Sequence, residues 1–258
     1  MFEVVRHLKS PRLRAVDLFI CQPFLTESDL YGYLRSVDFL ASHASHTLTS
    51  LHLHEYVDTC PARDRPNPMS LTTLIRLLHP LYHLERLAIR LPDVYMSDGD
   101  LITIARSLPR LRNLSIIHRS SPGTVVTHRA LVEFPVRCLS LEELYLPISI
   151  DSFDNLEGVE STKGPPNHPL RRLFPADSYN GSLTDGEQRL KIAHAIYALF
   201  PNIMVHQCVL YGGEHWWNRI LQEILLLQER DGSRSSTRED FEERLRKVLK
   251  WGEYMTEE

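Results

Sequence analysis

The chain has 258 residues, enough for one large domain or two small ones, and its 43% hydrophobic and 24% charged content is ordinary for a soluble globular protein. Its 29 basic and 33 acidic residues leave a net charge of −4, which argues against a phosphate-led nucleic-acid binder, because such a surface needs a basic stripe. The four cysteines, Cys21, Cys60, Cys138 and Cys208, lie far apart and form no C-x-x-C pair, so neither a zinc nor a disulfide framework is expected. Charges fall too early near Met1 for a secretory apolar stretch. No run approaches the roughly 18 apolar residues that a membrane span needs. The expected protein is intracellular, cytoplasmic or nuclear, with no membrane partner.

The first element along the chain is a strand at Leu13-Arg-Ala-Val16-Asp-Leu18. Its pattern, an apolar residue followed by others three and five positions on, returns at Leu48-Thr-Ser-Leu51-His-Leu53 and Leu84-Glu-Arg-Leu87-Ala-Ile89. Two further copies stand at Leu111-Arg-Asn-Leu114-Ser-Ile116 and Leu141-Glu-Glu-Leu144-Tyr-Leu146. This L-x-x-L-x-L pattern is the strand segment of a leucine-rich repeat. Copies begin at 13, 48, 84, 111 and 141, steps of 35, 36, 27 and 30 residues, long enough for a helix between strands. Apolar residues at helical spacing predict those helices over 26–42, 70–79, 98–107 and 185–199, with a weaker one over 127–134.

Helix starts and stops repeat as well. Thr26-Glu-Ser-Asp29, Ser97-Asp-Gly-Asp100 and Thr184-Asp-Gly-Glu187 each set a hydroxyl three residues before an acid, the spacing of a capping box. Ser10-Pro-Arg-Leu13, Leu108-Pro-Arg-Leu111 and Phe200-Pro-Asn-Ile203 place Pro just ahead of a strand, where it ends the helix and sets an extended approach. Weaker units start at Leu170-Arg-Arg-Leu173-Phe-Pro175 and Phe200-Pro-Asn-Ile203-Met-Val205. Residues 57–69 and 151–169, rich in Pro, Gly and Asp, read as an insert and a long loop.

The C-terminus departs from the repeat. Residues 215–227 form an amphipathic stripe with Trp216 and Trp217, and residues 237–251 predict a charged tail helix. The expected fold is therefore an α/β right-handed leucine-rich-repeat solenoid over 1–214, with a curved parallel sheet inside and helices on the convex side. A C-terminal helical cap and tail helix follow over 215–258. The first, fourth and sixth motif positions should face the core. By the two-residue strand period, Asp17, Phe19, His52, His54, Arg86, Arg90, Asn113, Ser115, Glu143, Tyr145 and Arg172 should line the concave face. That face is mixed in charge and carries aromatics, which suits a protein partner.

No G-x-S-x-G, P-loop, G-x-G-x-x-G or H-E-x-x-H occurs, so no catalytic residue and no cofactor are expected. Among the 13 histidines, His43, His46, His52 and His54 are the densest group, and His52 and His54 share a strand face. No third ligand is regularly placed beside them, so no metal site is expected. Gly212-Gly-Glu-His215 reads as a turn before a helix, and Asp151 with Asp154 as a solvated loop. Trp216 and Trp217 are read as packing residues. Ser233, Ser235 and Ser236, between Arg230 and Arg238, fit either a kinase site or a plain linker.

Irregular repeats, the Phe200-Pro-Asn-Ile203 turn, the Trp216-Trp217 helix and a charged last helix together resemble the repeat region of basidiomycete fungal F-box proteins. The resemblance covers roughly residues 10–230. It implies a substrate-recognition region of a cullin-type ubiquitin ligase receptor. The F-box that docks on the ligase adaptor does not stand in this chain: its Leu-Pro-rich opening is missing and a repeat strand occupies its place. The expected function is a monomeric, non-catalytic protein-recognition module. The alternative is an enzyme regulator such as a GTPase-activating leucine-rich-repeat protein, which a strongly acidic tail would favour; Glu257-Glu258 is too short for one.

Overall fold

The computed structural model describes residues 13–20, 27–55, 69–91, 94–117, 127–148, 164–175, 186–208 and 216–232. The expected capping hydroxyls Thr26 and Thr184, the tail helix, Cys21, Cys60, Asp151, Asp154, Gly212 to His215, the three serines near 235 and nearly all of the 57–69 insert lie outside the described residues.

In chain order the elements are β1 (Ala15–Ile20), α1 (Glu27–Ala44), β2 (Ser50–Glu55), β3 (Met69–Ser70), α2 (Leu71–Leu78) and β4 (Arg86–Arg90). They continue with β5 (Val94–Tyr95), α3 (Asp98–Ser107), β6 (Asn113–Ile117), α4 (His128–Arg137), β7 (Glu143–Leu146) and β8 (Arg172–Pro175). Helix α5 (Gly186–Leu199), a 3-10 turn (Val205–Gln207) and α6 (Trp216–Arg230) complete the described chain. The chain is an α/β protein with a six-stranded, all-parallel sheet in the order β1-β2-β4-β6-β7-β8. A two-stranded parallel pair, β3 with β5, stands apart from it and was not foreseen.

Strand pairing puts like motif positions in line. Val16, Leu51, Leu87, Leu114, Leu144 and Leu173 form one cross-sheet row. Leu18, Leu53, Ile89 and Ile116 form the next inward row. From Leu51 and Leu53 onward these side chains are buried in one apolar cluster with the inner stripes of the helices. Each buried side chain is stabilised by roughly 1.5–3 kcal/mol of apolar transfer. Leu13, just before the outermost described strand, and Leu18, within it, are only partly buried, a correction to their assignment as core.

A second ladder runs through the backbone ahead of the strands. The amides of Thr49, Glu85, Arg112, Glu142, Arg171 and Met204 each donate to the carbonyl of the equivalent residue one unit back, at 2.7–2.9 Å. That series makes Ile203 the first apolar position of a seventh unit. The strand expected at Phe200–Val205 is thus corrected: Phe200 is a helix-end residue like Leu108 and Cys138, and Val205–Gln207 form a 3-10 turn.

The prolines act differently from expectation too. Leu111 N–H donates to Leu108 O (3.2 Å) and Ile203 N–H to Phe200 O (3.3 Å), so Pro109 and Pro201 are second residues of tight turns, not extended lead-ins. The same turn closes without Pro at Leu84 to Leu81 and Leu141 to Cys138. Helix α4 is longer than the weak signal implied. It runs three residues past 134, carrying Pro135 in its last turn, where only one intrahelical amide is lost.

Helix starts are tied to one another. Ser97 caps α3 with both bonds of the expected capping box. Asp100 of that box also accepts from Thr72 Oγ1 of α2 at 2.6 Å. Asp98 accepts from the backbone N–H (2.6 Å) and the hydroxyl of Thr127, the N-cap of α4. At the far end, Trp217 of α6 is buried and donates its indole N–H to Cys208 O at 3.0 Å. Gln228 donates to the carbonyls of Pro201 and Ile203 (3.0 and 2.9 Å). Leu173 N–H, on the last strand, ends on Cys208 Sγ instead of another strand. Among the described residues no helix is long and apolar enough to cross a membrane.

Candidate functional site

Strand periodicity turns every second residue away from the core, and β4 and β6 to β8 alternate accordingly. Three outward rows result. The first holds Ala15, Ser50, Arg86, Asn113, Glu143 and Arg172. The second holds Asp17, His52, Ala88, Ser115, Tyr145 and Phe174. The third holds Phe19, His54, Arg90 and Ile117. All eleven residues expected on this face fall in these rows, and each is exposed or half-buried. Ser50, also in the first row, is buried. Phe174 and Ile117 also belong there and were missed. Phe174 stands in the weaker copy that starts at Leu170, whose Pro175 is tolerated because β8 is the edge strand of the described sheet.

The rows form two clusters. At the β1 end, Asp17 Oδ1 meets His52 Nδ1 at 2.8 Å. His54 stacks on Phe19 (5.2 Å, 15°) and meets His52 edge-on (5.7 Å). Burial lowers the His54 pKa from its ordinary value; Arg90 and His52 lower it further while Asp17 opposes them. Its imidazole is therefore neutral at pH 7. At the β8 end, Tyr145 stacks on Phe174 (5.5 Å, 30°), and Arg172 pairs with Glu143. Arg172 is thus engaged by a neighbour in its own row, unlike Arg86 and Arg90. Those two arginines are exposed and form no ion pair among the described residues, with Ala88 between them.

A second feature lies at the leading edge of the strands. A cleft of about 660 Å³ is lined by Arg14, His46, Thr47, Thr49, His83, Glu85 and Arg110. Arg110 Nη1 lies 2.9 Å from His83 Nδ1, and His46 Nδ1 lies 3.1 Å from Tyr82 OH. Arg14, Thr49 and Glu85 are second motif positions, which inward-outward alternation assigns to neither face. That is why sequence reasoning did not find this cleft.

Ser50 Oγ lies 3.4 Å from Nε2 of His52, whose Nδ1 meets Asp17 Oδ1 at 2.8 Å; Ser50 is buried, and none of the three lines the cleft described above. Cys138 and Cys208 are buried, and burial pushes the Cys138 thiol up to about 12, which keeps it protonated and unreactive. No protein-family model matches the chain. No curated protein matches it either.

Proposed function

We propose that this chain is a non-catalytic protein-recognition module of leucine-rich-repeat solenoid type, closed at its C-terminal end by α6, and that it serves as the substrate-recognition part of an F-box-type ubiquitin-ligase receptor. Strand order supports the solenoid. A doubly wound sheet reverses its order at a switch point, whereas these six strands follow the sequence without reversal. The observation that carries the recognition reading is the set of three in-register rows, with Phe19 57% exposed and two cations unengaged by ion pairs among the described residues. Exposed aromatic and arginine side chains are the residue types that anchor protein interfaces. The ligase assignment rests on the family resemblance.

The experiment is affinity capture from extract with wild type and an Arg86→Glu/Arg90→Glu variant, after circular dichroism shows equal folding. A partner lost only from the variant supports the reading. Identical capture at matched salt removes these arginines from the recognition site. Depleting the protein from cells should then raise the level of the captured partner if that partner is a ligase substrate. An unchanged level leaves recognition and removes the ligase role.

A further inference from the structure

We infer that Asp17, His52 and His54 form a binding site for a divalent transition-metal ion on the open face of the sheet. Parallel pairing sets Asp17 directly opposite His52, and His54 follows two residues later on the same face. One ligand atom from each residue lies within 4.8 Å of the others. Zinc bonds of about 2.0–2.1 Å in a tetrahedron need ligand atoms about 3.3 Å apart. The observed pair at 2.8 Å and the outer limit of 4.8 Å bracket that separation. The inference stands independently of the recognition reading.

An exposed Asp–His contact alone would be an ordinary surface pair worth little. Two further features set this one apart. Ser50 Oγ lies 3.4 Å from His52 Nε2, so the nitrogen not facing Asp17 already has an orienting partner. Metal-bound histidines are held in this way, with the second ring nitrogen hydrogen-bonded to fix tautomer and ring plane. Phe19, stacked 15° from parallel, holds the His54 ring in place. Arg90 pairs in register with His54 and adds positive charge nearby, which opposes a cation and favours an anionic fourth ligand. Two imidazoles and one carboxylate select zinc, copper, nickel or iron over magnesium or calcium. With three protein ligands on one side, the remaining positions open outward, where water or a carboxylate of a bound partner completes the sphere.

The test uses the full chain and Zn²⁺ alone, read by isothermal titration calorimetry, with Co²⁺ absorption as a spectroscopic check. One equivalent of Zn²⁺ should bind, Mg²⁺ should not, and bound Co²⁺ should give the strong visible bands of a four-coordinate ion. His54→Phe keeps the ring on Phe19 and removes the nitrogen; it should weaken Zn²⁺ at least tenfold. His52→Ala and Asp17→Asn should do the same, while His194→Ala, an exposed histidine on α5, should match wild type. Circular dichroism confirms folding of each variant. Failure of wild type to bind Zn²⁺, or affinities for His52→Ala and His54→Phe within twofold of wild type, overturns the site.

Discussion

The hydroxyl of Thr72 donates to Oδ1 of Asp100 at 2.6 Å, joining the first turn of α2 to the first turn of α3 across 28 residues of sequence. The other oxygen of Asp100 accepts from the Ser97 amide and hydroxyl, both at 2.8 Å. One carboxylate therefore caps its own helix and holds the neighbouring one. Removing it takes a shared acceptor from these donors in a buried site. Asp100→Ala should cost about 2–3 kcal/mol, read as a lower urea midpoint with unchanged slope. Asp100→Asn keeps one acceptor oxygen and should cost less. A loss under 0.5 kcal/mol in the alanine variant would show that the inter-helix bond contributes nothing.

The inward row of leucines should behave as a set. Leu51, Leu87, Leu114 and Leu144 are all at most 1% exposed. Each Leu→Ala change is expected to cost about 2–5 kcal/mol, with the spread set by how far neighbouring units collapse into the cavity. Thermal and urea unfolding of the four single variants measure this directly. Leu139→Ala, at a tight turn and 62% exposed, serves as the near-neutral reference.

His168 gives the fold an acid-sensitive point. It is buried, its Nε2 lies 3.1 Å from Cys138 O, and its Nδ1 accepts from Leu170 N–H at 3.2 Å. Both nitrogens are thus used by the neutral ring, and a proton on Nδ1 would face the Leu170 amide. Burial lowers its pKa from the ordinary 6.5, and the bond to the Cys138 carbonyl only partly opposes that. The unfolded chain therefore takes up a proton at higher pH than the folded one. Stability from this residue is intact above pH 6.5 and falls as the pH drops below it. Unfolding free energies from pH 8 to pH 5 should decline more steeply for wild type than for His168→Gln. Parallel curves would exclude the residue as a source of acid sensitivity.

Gly164 marks where the loop before β8 touches the end of α5. Its amide donates to Ala198 O at 3.0 Å, and a Cβ placed on it would lie 2.0 Å from the carbonyl oxygen of Leu199. Backbone, unlike a flexible side chain, cannot swing away. Gly164→Ala should destabilise by about 1–3 kcal/mol, the range for forced overpacking, and should lower the melting temperature. An unchanged melting temperature would show that this contact yields freely.

How much was legible in the sequence follows from what is local. The leucine spacing placed five strands, and the Ser97 box fixed the start of α3, because both signals lie within a few consecutive residues. Register across strands is not local. Asp17 and His52 are 35 positions apart, and only the pairing of β1 with β2 makes them neighbours. Two of three possible metal ligands were therefore visible on one strand, and the third was not. The misplaced last strand has a different cause. Phe200 and Ile203, both apolar and three apart, imitate the first and fourth motif positions. The match of Phe200-Pro-Asn-Ile203 to Leu108-Pro-Arg-Leu111 held the correct answer, since Leu111 is a first position. The β3–β5 pair has two residues in each strand, too short for any alternation to register.

The backbone ladder from Arg14 to Met204 has one more consequence. Successive motif copies are separated by 27 to 36 residues, yet the amide-to-carbonyl step between them is the same each time. Extra length is absorbed between the strands and never along them. The lettering of the outer face is thus independent of the spacing between its lines: a lineage can lengthen or shorten any connection without moving one displayed side chain relative to its neighbours. It can also rewrite one line, a single strand's Arg86-Leu-Ala88-Ile-Arg90, while the others keep their meaning.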